Sequence, residues 1–164
     1  MLIFTTSYQS RVFQAYDVSM MFPDGTTADA SDIRPVCGGF SDGSFVLTFS
    51  GLAQIGSKQT DVFVADLLRD LQERDFLKAL QLLTVNLTKR FAQLPFSPSI
   101  KRLTLFIAGC RQRTEPFFGT ISNQENQAGR VQEVAAKQFR LGLYPPLESG
   151  KSGWFHLSGA PKDS

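Results

Sequence analysis

The stretch SFVLTFSG, residues 44–51, decides the fold class. Its apolar residues Phe45, Leu47 and Phe49 alternate with smaller ones, which is the period of a strand with one face on a hydrophobic core. A second apolar run, RLTLFIAGC at residues 102–110, predicts another buried strand. Between these two strands the apolar residues recur with the period of a helix. The fold class is therefore set by the order of strands and helices along the chain.

Two helices are predicted between the strands. Thr60 is the expected N-cap of the first helix, with Asp61 in its first turn, where the helix dipole favours an acid. Asp75 is the expected N-cap of the second helix, which runs to about Leu94 before Pro95 ends it. The apolar residues of the second helix recur at i, i+3, i+4 and i+7 and are Phe76, Ala79, Leu80, Leu83, Leu87 and Phe91.

The remaining strands lie on both sides of the helical pair. LIFTTSY at residues 2–8 and VFQAYDVSM at 12–20 predict two strands, and a short strand is expected at 34–37. PFFGTISN at residues 116–123 predicts an antiparallel hairpin with the 102–110 strand. Strands that precede and follow a helical pair favour an α+β fold, with an antiparallel sheet that the helices cover on one face.

The C-terminal part has a weaker pattern. A further helix is predicted over residues 131–139, and the tail is rich in Gly, Pro and Ser. The chain is therefore divided into one domain, residues 1–140, and an extension, residues 141–164, that is docked or partly flexible.

Composition limits the classes of function. The 164 residues are enough for one domain with its own core, and a net charge of +2 without a basic run gives no indication of nucleic-acid binding. Cys37 and Cys110 are expected to be free thiols, and the single His156 has no neighbouring ligand for zinc. No cofactor or metal is expected. No leader or membrane span is recognised, which predicts a soluble cytoplasmic protein without a membrane partner.

Five stretches taken together resemble the proteasome-like branch of the N-terminal nucleophile (Ntn) hydrolases, the bacterial proteasome-subunit-like proteins. They are VFQAYDVSMMFPDGT, SFVLTFSGLAQIG, KQTDVFVADLLRDL, RLTLFIAG and PFFGTISN. The resemblance covers about residues 1–123 and lies in the order and spacing of these stretches. It implies an αββα sandwich of antiparallel sheets flanked by helices, with a C-terminal layer that is reduced here or completed by a partner subunit.

The resemblance also implies a type of chemistry and its residues. In such enzymes an N-terminal Thr hydroxyl attacks a peptide carbonyl, and the free α-amine serves as its base. By the family's spacing the acid position falls on Asp17, the Lys position on or next to Arg34, and the oxyanion position on Gly51 or the turn that follows it. The nucleophile position falls on Met1.

Two of these positions depart from the family pattern. Met1 has no nucleophilic hydroxyl, and Arg34 holds its proton too firmly to replace a Lys. The leading interpretation is therefore a proteasome-subunit-like protein with an altered or lost threonine-hydrolase site, assembled as a homo-oligomer. One alternative is an active threonine hydrolase of peptide or amide substrates, processed to Thr5 or Thr6. Another is a non-enzymatic assembly or partner-binding α+β domain.

Overall fold

The computed structural model describes residues 2–8, 11–16, 20–22, 24, 26–28, 34–98, 100–112, 115–124, 132, 134–144 and 154–159, of which 2–8, 11–16, 20–21, 27–28, 144 and 154–159 are described by their backbone alone. The strands are β1 (Leu2–Tyr8), β2 (Arg11–Tyr16), β3 (Met20–Met21), β4 (Thr27–Ala28), β5 (Val36–Phe40), β6 (Gly43–Gly51), β7 (Gln54–Ile55), β8 (Lys58–Gln59), β9 (Leu103–Arg111), β10 (Glu115–Ser122), β11 (Arg140–Tyr144) and β12 (Trp154–Gly159). The helices are α1 (Thr60–Asp70) and α2 (Phe76–Ala92).

The strands form two main antiparallel sheets. The larger has five strands in the order β11-β10-β9-β6-β5, and the smaller has three in the order β12-β1-β2. Two short hairpins, β3-β4 and β7-β8, complete the pairing. The predicted α+β class with antiparallel sheets is confirmed, and so is the hairpin of β9 with β10.

The hydrophobic core lies between the five-stranded sheet and the two helices. The sheet contributes every second residue of its central strands, which are Phe45, Leu47, Phe49, Leu103, Leu105, Ile107, Phe117 and Ile121. The helices contribute Val64, Leu67, Phe76, Leu80, Leu83, Leu87 and Phe91. Phe76 and Phe117 join the two layers, with ring centroids 4.3 Å apart. Each such side chain stabilises the fold by about 1.5–3 kcal/mol.

The opposite face of the five-stranded sheet is covered by the three-stranded sheet. Strand β2 lies against β9 and β10. The intervening residues of those two strands are also buried, although they are not part of the helix-side core: Thr104, Phe106, Ala108, Phe118, Thr120 and Ser122. The layers are therefore helices, five-stranded sheet and three-stranded sheet. No helix besides α1 and α2 occurs in the described part of the chain, so the second helical layer of an αββα sandwich is not seen.

Of the two N-caps predicted from the sequence, one is confirmed and the other is wrong. Asp75 is the N-cap of α2 and accepts a hydrogen bond from the Lys78 N–H at 2.9 Å, as predicted. The prediction of Thr60 as an N-cap is wrong, because α1 begins at Thr60 and Gln59 precedes it without a side-chain cap. The Thr60 hydroxyl instead donates to the Leu52 carbonyl at 2.7 Å. A contact with the turn that follows β6 has therefore replaced the local cap.

The helix predicted over residues 131–139 is also wrong where the structure describes it, at 132 and 134–139. The Ala135 N–H donates to the Pro98 carbonyl at 3.2 Å, and the Ala136 N–H donates to the Asn123 carbonyl at 2.7 Å. Because these donors are used by distant acceptors, they are not available for helical hydrogen bonds. Regular structure resumes in β11, which pairs with β10, and in β12, which pairs with β1.

Candidate functional site

The residues that the resemblance singled out are only partly described. Met1 and Asp17 lie outside the described residues, so their predicted roles stay predictions. Gly51 is the last residue of β6, and Arg34 is exposed two residues before β5. Because Val36 pairs with Leu47, the antiparallel register places Arg34 toward the same end of β6 as Gly51. Of the predicted residues, the structure thus brings Gly51 and Arg34 to one end of the sheet.

The two threonines of the processing alternative lie inside β1, the central strand of the three-stranded sheet. Thr5 pairs with His156 on one side and Gln14 on the other. Thr6 pairs in the same way with Phe155 and Phe13. Their backbones therefore belong to a strand with neighbours on both sides.

Gly51 has a backbone conformation that requires glycine. Its φ is +107°, and a Cβ added to it would collide with the carbonyl oxygen of Arg102. That carbonyl accepts the Leu52 N–H at 3.0 Å, so the chain leaves the sheet in a tight turn held against β9. The sequence analysis selected Gly51 through the family resemblance, and the structure gives it a steric reason of its own.

A row of hydroxyl side chains crosses the sheet next to Gly51, on the face toward the three-stranded sheet. Ser50 is opposite Thr104, and Thr104 is opposite Ser122. The Thr104 and Ser122 hydroxyls lie 2.6 Å apart, and the Ser122 oxygen accepts the Gln124 N–H at 3.0 Å. Thr104 is 3% exposed and Ser122 is 2% exposed.

Thr104 and Ser122 form a hydrogen-bonded pair within this hydroxyl row. Their hydrogen bonds satisfy polar groups in a buried part of the sheet, where an unpaired hydroxyl would be costly.

Asn123 holds this end of the sheet together. Its side-chain oxygen accepts the Leu103 N–H at 2.8 Å, and its side-chain nitrogen donates to the Lys101 carbonyl at 2.7 Å. Its backbone N–H donates to the Leu103 carbonyl, and its backbone carbonyl accepts the Ala136 N–H. One buried residue thus connects the ends of β10 and β9 to the segment that leads into β11.

A pocket of about 280 Å³ lies beside this junction, at the last turn of α2. Its apolar lining consists of Phe91, Ala92, Pro98, Ala135 and Ala136. Its two polar lining residues are Lys101 and Lys137. The Lys101 ammonium donates to the Phe91 carbonyl at 3.1 Å, one of the carbonyls at the end of α2.

The residues that build this end of the molecule were not predicted from the sequence. Asn123 was placed at the end of a strand, and Lys101 was not selected. One signal was available, because the segment between Asp75 and Glu115 contains seven Lys or Arg and no Asp or Glu. A segment of such one-sided charge indicates a cationic surface.

Neither a metal centre nor a membrane span is found in the part of the chain that the structure describes. No group of three or more His, Cys, Asp or Glu there is arranged to hold a metal ion. Neither α1 nor α2 is long and apolar enough to cross a membrane.

Comparison with known proteins gives no relative. No protein-family model matches the chain, and no curated protein or solved structure is significantly similar to it.

Proposed function

We propose that this chain is a proteasome-subunit-like protein of the Ntn fold whose threonine-hydrolase site is altered, and that it acts as a non-enzymatic subunit in an assembly of its own copies. One observation carries the proposal. The five-stranded sheet has the two helices on one face and a second antiparallel sheet on the other. An αββα sandwich contains the same succession of three layers, and this agreement supports the resemblance that the sequence motifs indicate.

The chemistry of two positions supports the loss of activity. Met1 stands where the family has its nucleophile, and a thioether cannot attack a carbonyl as a deprotonated hydroxyl does. Arg34 stands where the family has a Lys. Its guanidinium stays protonated and has a different shape, so it cannot take over a role in proton transfer.

The pairing of β1 argues against processing to Thr5 or Thr6. Removal of the preceding residues would eliminate the pairs that Leu2, Ile3 and Phe4 form with β12. The smaller sheet would lose at least half of the six register pairs that join β1 to β12. The processed enzyme therefore needs a sheet different from the one that the intact chain forms.

The test combines intact mass with reactivity. The chain is produced without a tag, its mass is measured, and it is incubated with a fluorogenic peptide amide and with an electrophile that forms an adduct with N-terminal threonine. We expect a mass that includes residues 1–4, no adduct and no peptide cleavage. Light scattering after size exclusion should give a mass that is a multiple of the chain mass.

The opposite results identify the rival functions. A mass that begins at Thr5 or Thr6, together with an adduct that the matching Thr→Ala variant abolishes, would establish an active hydrolase. A monomer by light scattering would contradict the assembly role. A structure of the assembly in which neither this chain nor a partner subunit supplies a helix on the three-stranded sheet would contradict the Ntn fold itself.

A further inference from the structure

The pocket beside α2 has two features that are independent of the N-terminal chemistry. Its walls are apolar, and Phe91 forms part of them while being only 3% exposed. The Phe91 ring also packs edge-on against Phe139, with centroids 4.8 Å apart, so this wall is supported from the core. A small apolar group can therefore be removed from water here without rearrangement of the core.

The walls of the pocket are fixed by hydrogen bonds. Ala135 is bound to the Pro98 carbonyl and Ala136 to the Asn123 carbonyl. Pro98, Ala135 and Ala136 are all lining residues. The segment that closes one side of the pocket is thus attached to the loop that closes the other side, and the pocket is largely formed before any ligand arrives.

Two lysines are among the residues that line this apolar space. Lys101 is half-buried and donates to the Phe91 carbonyl, which leaves two of its three N–H donors for other acceptors. Lys137 forms no hydrogen bond or ion pair with another described residue. The C-terminal dipole of α2 accounts for Lys101, whose ammonium binds a carbonyl at the end of that helix, but it does not account for Lys137.

The charge around the pocket is not balanced by nearby acids in the sequence of α2 or β9. Lys89 and Arg90 lie in the last turn of α2, and Arg102 follows Lys101. No Asp or Glu is among the described residues that line the pocket. A bound anion would reduce this excess of positive charge.

We propose that this pocket binds a small organic anion that has a carboxylate head and an apolar body. The carboxylate has two oxygens, one for each ammonium, and its apolar body fills the space against Phe91 and the alanines. Inorganic phosphate fits less well, because its further oxygens would face an apolar wall without donors. The volume of about 280 Å³ is near the lower limit of ligand pockets, which suits a molecule smaller than a nucleotide cofactor.

The experiment is a calorimetric titration of the full chain with octanoate, with 1-octanol and inorganic phosphate as the probes that lack the charge or the apolar body. We expect saturable binding of one octanoate per chain and weaker binding of both comparison probes. Lys137→Gln should weaken octanoate binding two- to fivefold, as the loss of one partly screened ion pair would. Lys89→Gln is the matched control, since it removes an exposed cation from α2 that does not line the pocket.

The results that would overturn the proposal are equally specific. They are an absence of saturable octanoate binding, equal affinity for 1-octanol, or equal weakening by Lys137→Gln and Lys89→Gln. A second variant, Ala92→Phe, tests the location, because Ala92 lines the pocket from the exposed side of α2. It should reduce octanoate binding without lowering the midpoint of thermal unfolding, and unchanged binding would place the ligand elsewhere.

Discussion

The side-chain oxygen of Asn123 accepts the backbone N–H of Leu103 at 2.8 Å, one residue beyond the end of β10. A side chain thus continues the pairing of β10 with β9 after the strand itself has ended. The same amide binds the Lys101 carbonyl, and Asn123 is only 2% exposed. Because Leu103 is fully buried, no water could replace this partner, so the amide is part of the sheet.

Asn123→Leu should therefore destabilise the protein strongly. The substitution keeps the size of the side chain but leaves the Leu103 N–H and the Lys101 carbonyl without their partners. Each buried polar group that loses its hydrogen bond costs about 1–3 kcal/mol, so the loss of two should lower the free energy of unfolding by about 2–6 kcal/mol. Urea unfolding measures this change.

The control for Asn123 is its neighbour. Gln124 is half-buried, and its hydrogen bond to Ser122 comes from the backbone N–H, so Gln124→Ala keeps that bond. The control should change stability by less than about 0.5 kcal/mol. If Asn123→Leu were as stable as Gln124→Ala, the amide would not support β9.

Gly51→Ala should also be destabilising, for a steric reason. The new Cβ would collide with the Arg102 carbonyl, which is backbone and cannot turn aside, and the residue would be held at a φ of +107°. We expect a loss of more than about 3 kcal/mol, because the collision adds to the cost of about 1–3 kcal/mol for a strained conformation alone. The midpoint of thermal unfolding should fall accordingly.

Substitutions at two other glycines separate the cost of the steric collision from the cost of the backbone strain. Gly56 has a φ of +64° with open space around its Cβ position, so Gly56→Ala tests the backbone strain alone. Gly39 has neither a positive φ nor a neighbouring atom within 4 Å, so Gly39→Ala should be close to neutral. The expected order of destabilisation is Gly51, then Gly56, then Gly39. If Gly51→Ala and Gly56→Ala lowered stability equally, the Arg102 carbonyl would have to move to make room for the new Cβ.

The elements that the sequence predicted well are those with a strong period. The alternation in β6 and the three-to-four spacing in α2 each place one continuous apolar face, and the core is built from those faces. The Asp75 cap was predictable because its hydrogen bond is local, to the Lys78 N–H. The local pattern agrees with the tertiary structure at these places, so the sequence alone was sufficient.

The elements that were missed depend on distant parts of the chain. The segment before β11 has a weak helical pattern, but its N–H groups bind Pro98 and Asn123, far away in the sequence. The hydroxyl of Thr60 likewise has a tertiary partner, the Leu52 carbonyl, in place of a cap. Within the candidate site, Gly51 could be selected from the sequence. Asn123 and the pocket could not, because their roles depend on tertiary hydrogen bonds to backbone groups at the ends of strands.

The two cysteines should react at different rates with a thiol reagent. Cys37 is exposed, while Cys110 is half-buried, and burial raises the pKa of the Cys110 thiol. A raised pKa lowers the fraction of reactive thiolate at neutral pH. At pH 8 a disulfide reagent should therefore label Cys37 first, as peptide mass analysis would detect. Cys37→Ser should leave only the slow phase, and a fast phase that persists in this variant would contradict the burial of Cys110.

The decline in the free energy of unfolding at low pH should depend in part on Asp66. The Lys58 ammonium hydrogen-bonds its carboxylate at 2.5 Å, and together with Arg69 at 2.9 Å it holds the pKa of Asp66 below the ordinary value for Asp. A carboxyl whose pKa is lowered by folding stabilises the folded state above its unfolded pKa of about 3.9. That contribution is lost as the pH falls from about 4 through the lower pKa of the folded state.

Asp66→Asn should therefore flatten the decline in stability below about pH 4, because the ionisable group responsible for part of it is gone. The difference should be small and should shrink at high salt, since the ion pairs of Asp66 are open to solvent. Asp70→Asn on the same helix is the matched control, because Asp70 forms no ion pair with a described residue. Unfolding midpoints measured between about pH 2 and pH 6 test this. A parallel decline in Asp66→Asn and the unmodified chain would show that these ion pairs do not contribute to folding.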